Sequence, residues 1–546
     1  MYVIGISSGL KLGHHDGAAV LMYNGKLLFA AEEERFTNSK HARGDLPLHA
    51  IKYILKKFKL NIGDVDYIAS PLKTYPYYQE RLKAFFSFHF GKSPKIALFE
   101  HHVCHAASAY FGSGFKESPI LCLDNSGDSK SGGIYYGKNF DIKKIVEFDR
   151  EDSLGLFYGM LTQYLGFKMT SDEYKVMGMS SYGEPKYLDQ FSKIIRYNNF
   201  DLNLNKKLIS RIVNSKVYTT DISNRQERVF SELLMEYLKI KPRLSGDKIL
   251  KQHYDLAASG QKFLENIIVN ICNNIKKNFR SENLCIAGGV GLNCKANMEV
   301  LDNCGIKDIY IPPVPNDPGV ALGSAMLVFA RKKIKIDKIE HAYFGPKYSN
   351  SEIYKILKNN KLKFKEVDDL ESVISNNILN GEIVGLFNGK MEFGPRALGS
   401  RSIISDPRIK KINDKINKSV KYRELFRPFC PSILYEDQIK FFEHKEFMPF
   451  MNICSRALKN TKKNYKSIVH VDGTARVQSV IKNTSNNYYN LLKRLKKKDN
   501  LSMLLNTSMN LNNQTLCNTP QDALRTFFGS GMDTIFLENF KISKTY

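Results

Sequence analysis

Apolar and polar positions near the start of the chain predict strands joined by tight loops. Tyr2–Ser7 is an almost continuous apolar run and predicts a buried strand. Two further apolar runs flank Asn24-Gly25, a dipeptide that favours two-residue type I′ turns, so Ala18–Tyr23 and Lys26–Glu32 predict a hairpin. Between the first two strands lies Gly13–Gly17, a polar loop that could face a ligand.

The next segments alternate between helical periodicity and short apolar runs. Helices are predicted at Leu46–Phe58, Tyr77–Phe90 and His101–Tyr110, and strands at Asp66–Ser70 and Lys95–Glu100. A second hairpin is predicted for Ile120–Asp124 and Gly133–Tyr136, around the Gly/Ser/Asp-rich loop Asn125–Gly132. Strands that carry glycine–aspartate loops and are followed by helices are typical of the actin/hexokinase-like ATPases.

The middle of the chain predicts a long helix that leads into a glycine-rich strand end. Asp255–Ile275 has strong helical periodicity, and strand Asn283–Ala287 ends in Gly288, Gly289 and Asn293, where backbone N–H groups and an amide could hold ribose or adenine. The lysine- and asparagine-rich residues 186–250 predict helices with no chemical signature.

A composition change after the next strand and helix defines the predicted domains. Strand Ile309–Pro312 is followed by a helix predicted from Ala321. A boundary near Gly345-Pro346 predicts an N-terminal domain, 1–344, with a helical insertion at about 186–250, and a C-terminal domain, 345–546. The second domain is predicted to open with helix Ser351–Asn359.

Composition narrows the class of protein. A length of 546 residues predicts more than one domain. No apolar run approaches the roughly 20 residues of a membrane span. The nine scattered cysteines include no C-x-x-C pair, which predicts reduced thiols in a cytoplasmic protein, with Cys285 and Cys294 in the core. The net charge of +26 could indicate a nucleic-acid partner, but lysine is spread along the whole chain, as biased codon usage would also produce.

The stretch Asn388–Arg408 predicts an anion pocket. Its glycines recur every five residues, at 389, 394 and 399; Arg396 lies between the last two, and Arg401 follows the third. Glycine lets a backbone approach a ligand, and the guanidinium fork supplies paired donors for phosphate or carboxylate oxygens. The alternative, a surface turn with solvated arginines, is disfavoured because other parts of the second domain supply matching groups.

Three histidines at the start of a predicted helix suggest a metal site. His101 and His105 are four residues apart, which places both imidazoles on one helix face. Asp124 ends a strand and Asp317 opens a helix, so both could converge on the same cleft. Two imidazoles and two carboxylates suit Fe²⁺, Mn²⁺ or Zn²⁺. His102 remains an alternative upstream ligand, although spacing favours His101, and a structural histidine pair is a further alternative.

Many motifs, in order, resemble those of the NodU/CmcH/TobZ-type O-carbamoyltransferases over nearly the whole chain. They are HDGAA at 15–19, EEERF at 32–36, H-x-x-x-H at 101–105, EYKVMGM at 173–179, GGVGLN at 288–293, NDPGVALGSA at 316–325, MEFGPRALGSRS at 391–402, RELFRPFCPSIL at 423–434, HVDGTAR at 470–476, LLNTSMN at 504–510 and TPQDALRTF at 519–527.

This resemblance implies an α/β fold and a two-site enzyme. An N-terminal actin/hexokinase-like ATPase fold of two similar subdomains would be followed by a C-terminal YrdC-like α/β domain. The C-terminal domain would form carbamoyl-adenylate from carbamoyl phosphate and ATP with Mg²⁺. The N-terminal domain would transfer the carbamoyl group to an acceptor hydroxyl beside a divalent metal, Fe²⁺ first and Mn²⁺ or Zn²⁺ as alternatives.

The resemblance also assigns residues. The implied metal ligands are His101, His105, Asp124 and Asp317. The implied carbamoyl-phosphate and ATP contacts in the second domain are Arg396, Lys421, Arg427, Arg476, Asn506 and Ser508. Lys175 and Gly178 could contact nucleotide phosphates or simply close a turn. The H-D-x-x-A pattern selects His15, rather than His14, as the base that deprotonates the acceptor, unless it only holds its loop. Glu32–Glu34 with Arg35 could line the acceptor cleft or be a solvated charge run.

Two other functions remain open from sequence. One is a carbamoyl-group enzyme that modifies a nucleic-acid base, and the other is a kinase-like ATP-binding protein with a regulatory second domain. The acceptor is expected to be a hydroxylated small molecule or a sugar, of an identity that the sequence does not specify. A homodimer is one assembly that the sequence allows, and no membrane partner is expected.

Overall fold

A computed structural model describes residues 1–9, 15–211 and 228–544. The chain divides into two compact units. The first unit comprises residues 1–71, 79–98 and 317–546, and the second comprises residues 72–78 and 99–316. The first unit therefore contains the N-terminal sheet together with the whole of the predicted second domain.

A five-stranded sheet forms the N-terminal part of the first unit. Its elements are β1 (Tyr2–Ile6), β2 (Ala18–Tyr23), β3 (Lys26–Glu32), α1 (Glu34–Thr37), α2 (Leu48–Phe58), β4 (Tyr67–Ser70), α3 (Tyr78–Phe90) and β5 (Lys95–Leu98). The strand order is β3-β2-β1-β4-β5, antiparallel from β3 to β1 and parallel from β1 to β5. Asn24 and Gly25 both have positive φ, 46° and 82°, which confirms the hairpin turn between β2 and β3.

The second unit contains a sheet of the same topology. Its elements are α4 (His101–Ser113), β6 (Glu117–Gly127), β7 (Lys130–Lys138), β8 (Asp141–Asp149), α5 (Leu154–Tyr164), α6 (Glu173–Met179), α7 (Leu188–Ile194), β9 (Ile195–Asn198), β10 (Asp201–Leu204), α8 (Glu232–Leu238), α9 (Lys251–Phe279), β11 (Asn283–Ala287), α10 (Cys294–Asn303) and β12 (Asp308–Tyr310). The order β8-β7-β6-β11-β12 repeats the first sheet: an antiparallel meander continued by two parallel strands. Two sheets of one topology confirm the predicted actin/hexokinase-like arrangement of similar subdomains.

The C-terminal part of the first unit is a mixed α/β domain, as the resemblance implied. Its elements are α11 (Pro318–Arg331), α12 (Asn350–Asn359), β13 (Lys365–Glu366), α13 (Leu370–Leu379), β14 (Val384–Phe387), β15 (Arg401–Ser405), α14 (Ile412–Ile416), β16 (Cys430–Leu434), β17 (Cys454–Arg456), α15 (Lys459–Asn464), β18 (Thr474–Arg476), β19 (Gln478–Val480), α16 (Asn486–Asp499), β20 (Met503–Ser508), α17 (Pro520–Phe528), β21 (Thr534–Leu537) and β22 (Phe540–Ser543). Helix α11 packs on the N-terminal sheet.

An eight-stranded sheet, in the order β13-β22-β21-β14-β15-β20-β16-β19, organises this domain. Apolar side chains of α13 and α16, among them Ile378 and Leu492, form one hydrophobic cluster with strand residues such as Leu504 of β20. At about 25 cal/mol per Å² of apolar surface, burial of this kind is the main source of stability and fixes the strands from which the loops project.

Several sequence-based predictions need correction. The loop predicted at Asn125–Gly132 is wrong, because β6 and β7 continue to a two-residue turn at Asp128 and Ser129, both with positive φ. Strand β8 was not predicted at all. The all-helical interpretation of residues 186–250 is also wrong: the described part contains two short helices, α7 and α8, and the antiparallel pair β9–β10.

Three further predictions have other outcomes. The helix expected from Ala321 begins at Pro318, where proline at the first helical turn costs no hydrogen bond. Gly13 and His14 of the predicted polar loop lie outside the described residues. The predicted boundary at residues 344 and 345 stays a prediction.

The burial of the cysteines agrees with expectation. All nine are free thiols and all are buried, including Cys285 and Cys294. Across the described ranges of the chain, none of the helices has the length and apolar character needed to cross a membrane.

Candidate active site

Three histidines and one aspartate form a buried cluster in the second unit. Helix α4 presents His101 and His105 from adjacent turns, and β6 carries Asp124 beside them. The Nε2 atoms of His101 and His105 are 3.1 Å apart, and they lie 3.4 and 3.6 Å from Asp124 Oδ2. One potential ligand atom from each of His101, His105 and Asp124 lies within 4.8 Å of those of the other two. The predicted i, i+4 pair is therefore brought together with its predicted carboxylate.

The same carboxylate also lies close to His102. His102 Nε2 is 3.7 Å from Asp124 Oδ2, so helical spacing alone could not separate the two candidate upstream ligands. Burial lowers the pKa of His102 to about 4 although Asp124 opposes this shift, so its imidazole is neutral at pH 7. Burial would raise the pKa of Asp124, but hydrogen bonds with the three histidines hold it well below its usual range. Neutral imidazole and carboxylate are the protonation states that bind a transition metal.

Glycine at two positions allows this cluster to form. A Cβ on Gly127 would lie 2.2 Å from the His101 ring, so only glycine lets that ring occupy its position. Gly288 has φ +86°, and a Cβ there would lie 2.2 Å from the Leu123 carbonyl oxygen. The following N–H, of Gly289, donates to Asp124 Oδ1 at 3.0 Å. The glycine-rich strand end thus orients the aspartate.

The remaining predicted adenylate contacts are also in the second unit. Asn293 caps α10, accepts a hydrogen bond from Ala296 N and is paired with Gln261 through both amide groups. Its side chain is therefore engaged within the protein. Lys175 lies 3.3 Å from Asp172, and Gly178 is buried within α6. The nucleotide roles of these residues stay predictions.

His15 belongs to a compact network in the first unit. Its Nδ1 lies 2.8 Å from Asp16 Oδ2 and 3.9 Å from Asp317 Oδ2, and the other oxygen of Asp16 lies 2.8 Å from His41 Nδ1. Burial alone would lower the pKa of His15, but the carboxylates of Asp16 and Asp317 raise it to about 9. The ring therefore carries a proton at neutral pH. Asp317 precedes α11, and its place among the metal ligands stays a prediction.

The glycine- and arginine-rich stretch connects β14 to β15 and is folded around a buried carboxylate. Glu392 has no exposed surface, and its Oε1 accepts hydrogen bonds from the N–H groups of Leu398, Ser400 and Arg401 at 2.7, 2.8 and 3.2 Å. Backbone N–H groups that could surround a phosphate thus hold an internal carboxylate instead. The sequence analysis missed this role of Glu392, although its motif contains the residue.

The arginines of this stretch have different environments. Arg401 is fully buried, lies 3.7 Å from the centre of the Phe387 ring and donates to four backbone carbonyls, including those of Asn388 and Gly389. Arg408 pairs with Asp406 and Asp499. Those two side chains maintain the fold of the stretch. Arg396, which precedes both of them in the chain, is only half-buried.

The carboxyl end of β20 brings two of the predicted contacts close to this stretch. Asn506 Nδ2 donates to the Ala397 carbonyl at 3.2 Å and to Ser432 Oγ at 2.9 Å. Its Oδ1 is buried and has no hydrogen-bond partner among the described residues. Gln478, another residue that the sequence analysis missed, donates to the Leu398 carbonyl at 2.8 Å. These amides fix the backbone immediately after Arg396.

Lys421 is the most buried cation of the predicted set. Its Nζ donates to the Ser508 carbonyl at 2.9 Å and to the Asn510 carbonyl at 2.8 Å. Burial lowers its pKa well below the usual range, and the positive charges of Arg423 and Arg427 lower it further. A buried ammonium group beside two guanidinium groups is an environment that favours an anion. Arg423 was missed, although it belongs to the same motif as Arg427.

The last predicted contact, Arg476, lies on β18. Its Nε is 3.1 Å from Cys430 Sγ, and Cys430 is opposite Asn506 in the β16–β20 register. The structure thus brings Arg476, Asn506, Ser508 and Lys421 together at neighbouring strand ends.

The EEERF segment is not a solvated charge run. Glu32, Glu33 and Arg35 are all buried. Glu33 accepts hydrogen bonds from the first N–H groups of α2, a position where the helix dipole favours a negative charge. Arg35 contacts the C-terminal half of the same unit, at Gly394.

A duplicated ATPase-like fold joined to a domain with a cationic cluster is the arrangement expected of an enzyme that binds a nucleotide and a small anion. Two family models specify its kind. "Carbamoyltransferase N-terminus" matches residues 6–84 and 72–326, and "Carbamoyltransferase C-terminus" matches residues 375–544. The chain belongs to the carbamoyltransferase family, which confirms the resemblance seen in its motifs.

Relatives of similar length agree with this assignment. An uncharacterized protein of Synechocystis is 34% identical, over 98% of this chain and 96% of its own length. Nodulation protein NolNO of Sinorhizobium fredii is 32% identical, over 100% of this chain and 83% of its own length. Nodulation protein U of the same organism is 25% identical, over 92% of this chain and 93% of its own length.

Proposed function

We propose that this carbamoyltransferase is ATP-dependent and acts in two steps at two sites. The predicted C-terminal domain, 345–546, converts carbamoyl phosphate, one water and ATP, with its Mg²⁺, to carbamoyl-adenylate, inorganic phosphate and pyrophosphate. The predicted N-terminal domain, 1–344, transfers the carbamoyl group to the hydroxyl of a small-molecule or sugar acceptor. AMP then leaves from the adenylate, and the acceptor proton must be removed.

The observation that carries the first step is the cationic environment of Lys421. Burial and the positive charges of Arg423 and Arg427 lower the pKa of this lysine, and a dianion bound beside it would offset both effects. Carbamoyl phosphate is such a dianion, and each charge-assisted hydrogen bond to it would contribute about 1.5–3 kcal/mol. The proposed contacts are Arg396, Lys421, Arg427, Arg476, Asn506 and Ser508.

The second step is assigned to the domain with the histidine–aspartate cluster. His101, His105 and Asp124 would hold a divalent transition metal, with Asp317 as the proposed fourth ligand. Their donor atoms suit Fe²⁺, Mn²⁺ or Zn²⁺. Such an ion would supply Lewis-acid polarisation of the bound carbamoyl group. Lys175, Gly178, Gly288, Gly289 and Asn293 are proposed to hold the adenylate.

The nucleotide products test this function directly. Incubated with carbamoyl phosphate, ATP and a panel of hydroxylated metabolites, the protein should form AMP and pyrophosphate, and one metabolite should gain the mass of one carbamoyl unit. Both products should be absent when carbamoyl phosphate is left out. Formation of ADP in place of AMP would instead indicate a kinase-like protein, and a mass gain on nucleic acid would indicate the base-modifying alternative.

The role of His15 predicts a particular pH dependence. Since its pKa is about 9, the ring becomes a base only as the pH rises through that value, so transfer from supplied carbamoyl-adenylate should accelerate towards pH 9. Asp16→Asn removes the negative charge that raises this pKa, so the rise should move to lower pH. His15→Ala should abolish the rise and slow transfer about 10²–10⁴-fold.

Adenylate formation serves as the control for both variants, since it is assigned to the other domain and should be unchanged. An NMR titration of the His15 ring would establish its pKa independently. A pH profile that is identical in the wild type and in Asp16→Asn would exclude His15 as the base.

A further inference from the structure

A buried ion pair, Glu32–Arg35, binds both backbone polar groups of Gly394 in the glycine- and arginine-rich stretch. Gly394 N donates to Glu32 Oε1 at 2.8 Å, and Arg35 Nη2 donates to the Gly394 carbonyl at 3.0 Å. The side chain of Arg35 is 6% exposed and also lies 3.3 Å from Glu32 Oε1. Gly394 has φ +123°, a conformation that side chains rarely adopt. Two residues before Arg396, the backbone is thus held on both sides.

The other end of the same guanidinium leads to His15. Arg35 Nη1 lies 2.8 Å from Glu34 Oε1, and the other oxygen of Glu34 accepts a hydrogen bond from His41 N at 2.7 Å. The His41 ring is in turn 2.8 Å from Asp16, which is 2.8 Å from His15. All of these residues belong to the first unit. Five consecutive contacts of 2.7–3.0 Å therefore connect the Gly394 peptide to the His15 ring.

We propose that Arg35 is a positioning residue that couples the carbamoyl-phosphate loop to the His15 loop. The inference rests on the proposed function, since it assigns carbamoyl phosphate to the loop that carries Arg396. When the anion draws Arg396 inward, the Gly394 peptide moves with it, and Arg35 transmits that movement through Glu34 to His41. This coupling is reciprocal: a conformational change in the His15 loop alters the affinity for carbamoyl phosphate by the same free energy with which carbamoyl phosphate shifts the His15 loop.

Arginine is required at this position by geometry. The planar guanidinium uses separate nitrogens for the Glu34 carboxylate and the Gly394 carbonyl, so the two partners are held in a fixed relation. A lysine could keep the positive charge that Glu32 and Glu34 need, but its single ammonium group cannot span both partners in the same geometry. Arg35→Lys should therefore loosen the connection without leaving a buried carboxylate unpaired.

The test follows the His15 and His41 rings by NMR of ¹⁵N-histidine-labelled full-length protein, with carbamoyl phosphate as the probe. The two resonances are assigned from His15→Gln and His41→Gln. In the wild type, carbamoyl phosphate should shift both signals. In Arg35→Lys, carbamoyl phosphate should still bind, as measured by calorimetry, but both shifts should be lost.

Two further variants make the result specific. Glu34→Gln interrupts the series of contacts one step further on, because one carboxylate oxygen becomes an NH₂ group that cannot accept a hydrogen bond. This variant should lose both shifts as well, and it tests the coupling even if Arg35→Lys does not fold. Arg243→Lys is the matched control: Arg243 is also buried and donates to backbone carbonyls, but its contacts lie within the second unit, so both shifts should remain.

The outcomes separate the coupling from the proposed function. Three outcomes would overturn the coupling and leave the proposed function standing. The shifts could persist in Arg35→Lys, they could also be lost in Arg243→Lys, or they could be absent from a wild type that binds carbamoyl phosphate. A wild type that does not bind carbamoyl phosphate would overturn the proposed function, and the coupling with it.

Discussion

Replacing Arg396 by alanine is expected to abolish the formation of carbamoyl-adenylate from carbamoyl phosphate and ATP. The side chain is half-buried in the stretch between β14 and β15, next to the backbone that Asn506 holds through the Ala397 carbonyl. Loss of two charge-assisted hydrogen bonds would remove about 3 kcal/mol or more, which corresponds to at least about a hundredfold in rate. Arg396→Lys should restore little, since an ammonium group lacks the planar fork.

The assay measures AMP and pyrophosphate in the first reaction, and acceptor carbamoylation from supplied carbamoyl-adenylate in the second. Arg396→Ala should fail only in the first. Arg408→Lys is the matched control, because Arg408 belongs to the same stretch but pairs with Asp406 and Asp499, so both reactions should proceed. Should a folded Arg396→Ala protein also fail with supplied carbamoyl-adenylate, both reactions share one pocket and the two-site proposal is wrong.

The sequence could not distinguish the arginines of this stretch by itself. Arg396 and Arg401 are five residues apart, in matching glycine-rich surroundings. In the structure Arg401 binds backbone carbonyls and stacks on Phe387, and these partners are set by the path of the chain rather than by local spacing. Glu392 was missed for the same reason, since an acidic residue seldom fills a loop that is predicted to bind anions.

The β structure was predictable where a turn has a strong local signal. Asn24-Gly25 identified the β2–β3 hairpin with the observed bounds. Asp128-Ser129 makes a similar two-residue turn, but the residues before it are Asn, Ser and Gly, which resemble a loop. These three residues remain in β6 because Gly127 pairs with Lys130 and packs against the His101 ring. The contact with His101 joins segments that are distant in sequence, so the local sequence pattern does not predict it.

Helical spacing predicted the histidine pair but could not select between neighbours. His101, His102 and His105 all lie 3.4–3.7 Å from the same oxygen of Asp124. Consecutive residues on a helix normally point about 100° apart, yet the long imidazole side chains at the start of α4 turn towards one carboxylate. Side-chain rotation therefore offsets the helical spacing that favoured His101 over His102.

Purified protein should contain about one divalent transition metal per chain, and His105→Ala should lose it. A metal–imidazole bond is about 2.0–2.1 Å long, so two ligating nitrogens are separated by roughly 3–3.4 Å, and the Nε2 atoms of His101 and His105 are 3.1 Å apart. His105 is fully buried, so alanine there removes one of the ligand atoms from inside the cluster. Elemental analysis by mass spectrometry after exhaustive dialysis measures the content, with thermal melting as the check on folding.

His102→Ala is the matched control for this experiment, since it removes an imidazole equally close to Asp124 from the same helix turn. It should retain the metal, because only His101 and His105 combine the i, i+4 relation with adjacent Nε2 atoms. Loss of metal from His102→Ala with retention in His101→Ala would make His102 the upstream ligand. Full occupancy in a folded His105→Ala protein would instead mean that the histidine pair is structural, with the 3.1 Å contact a hydrogen bond between the two rings.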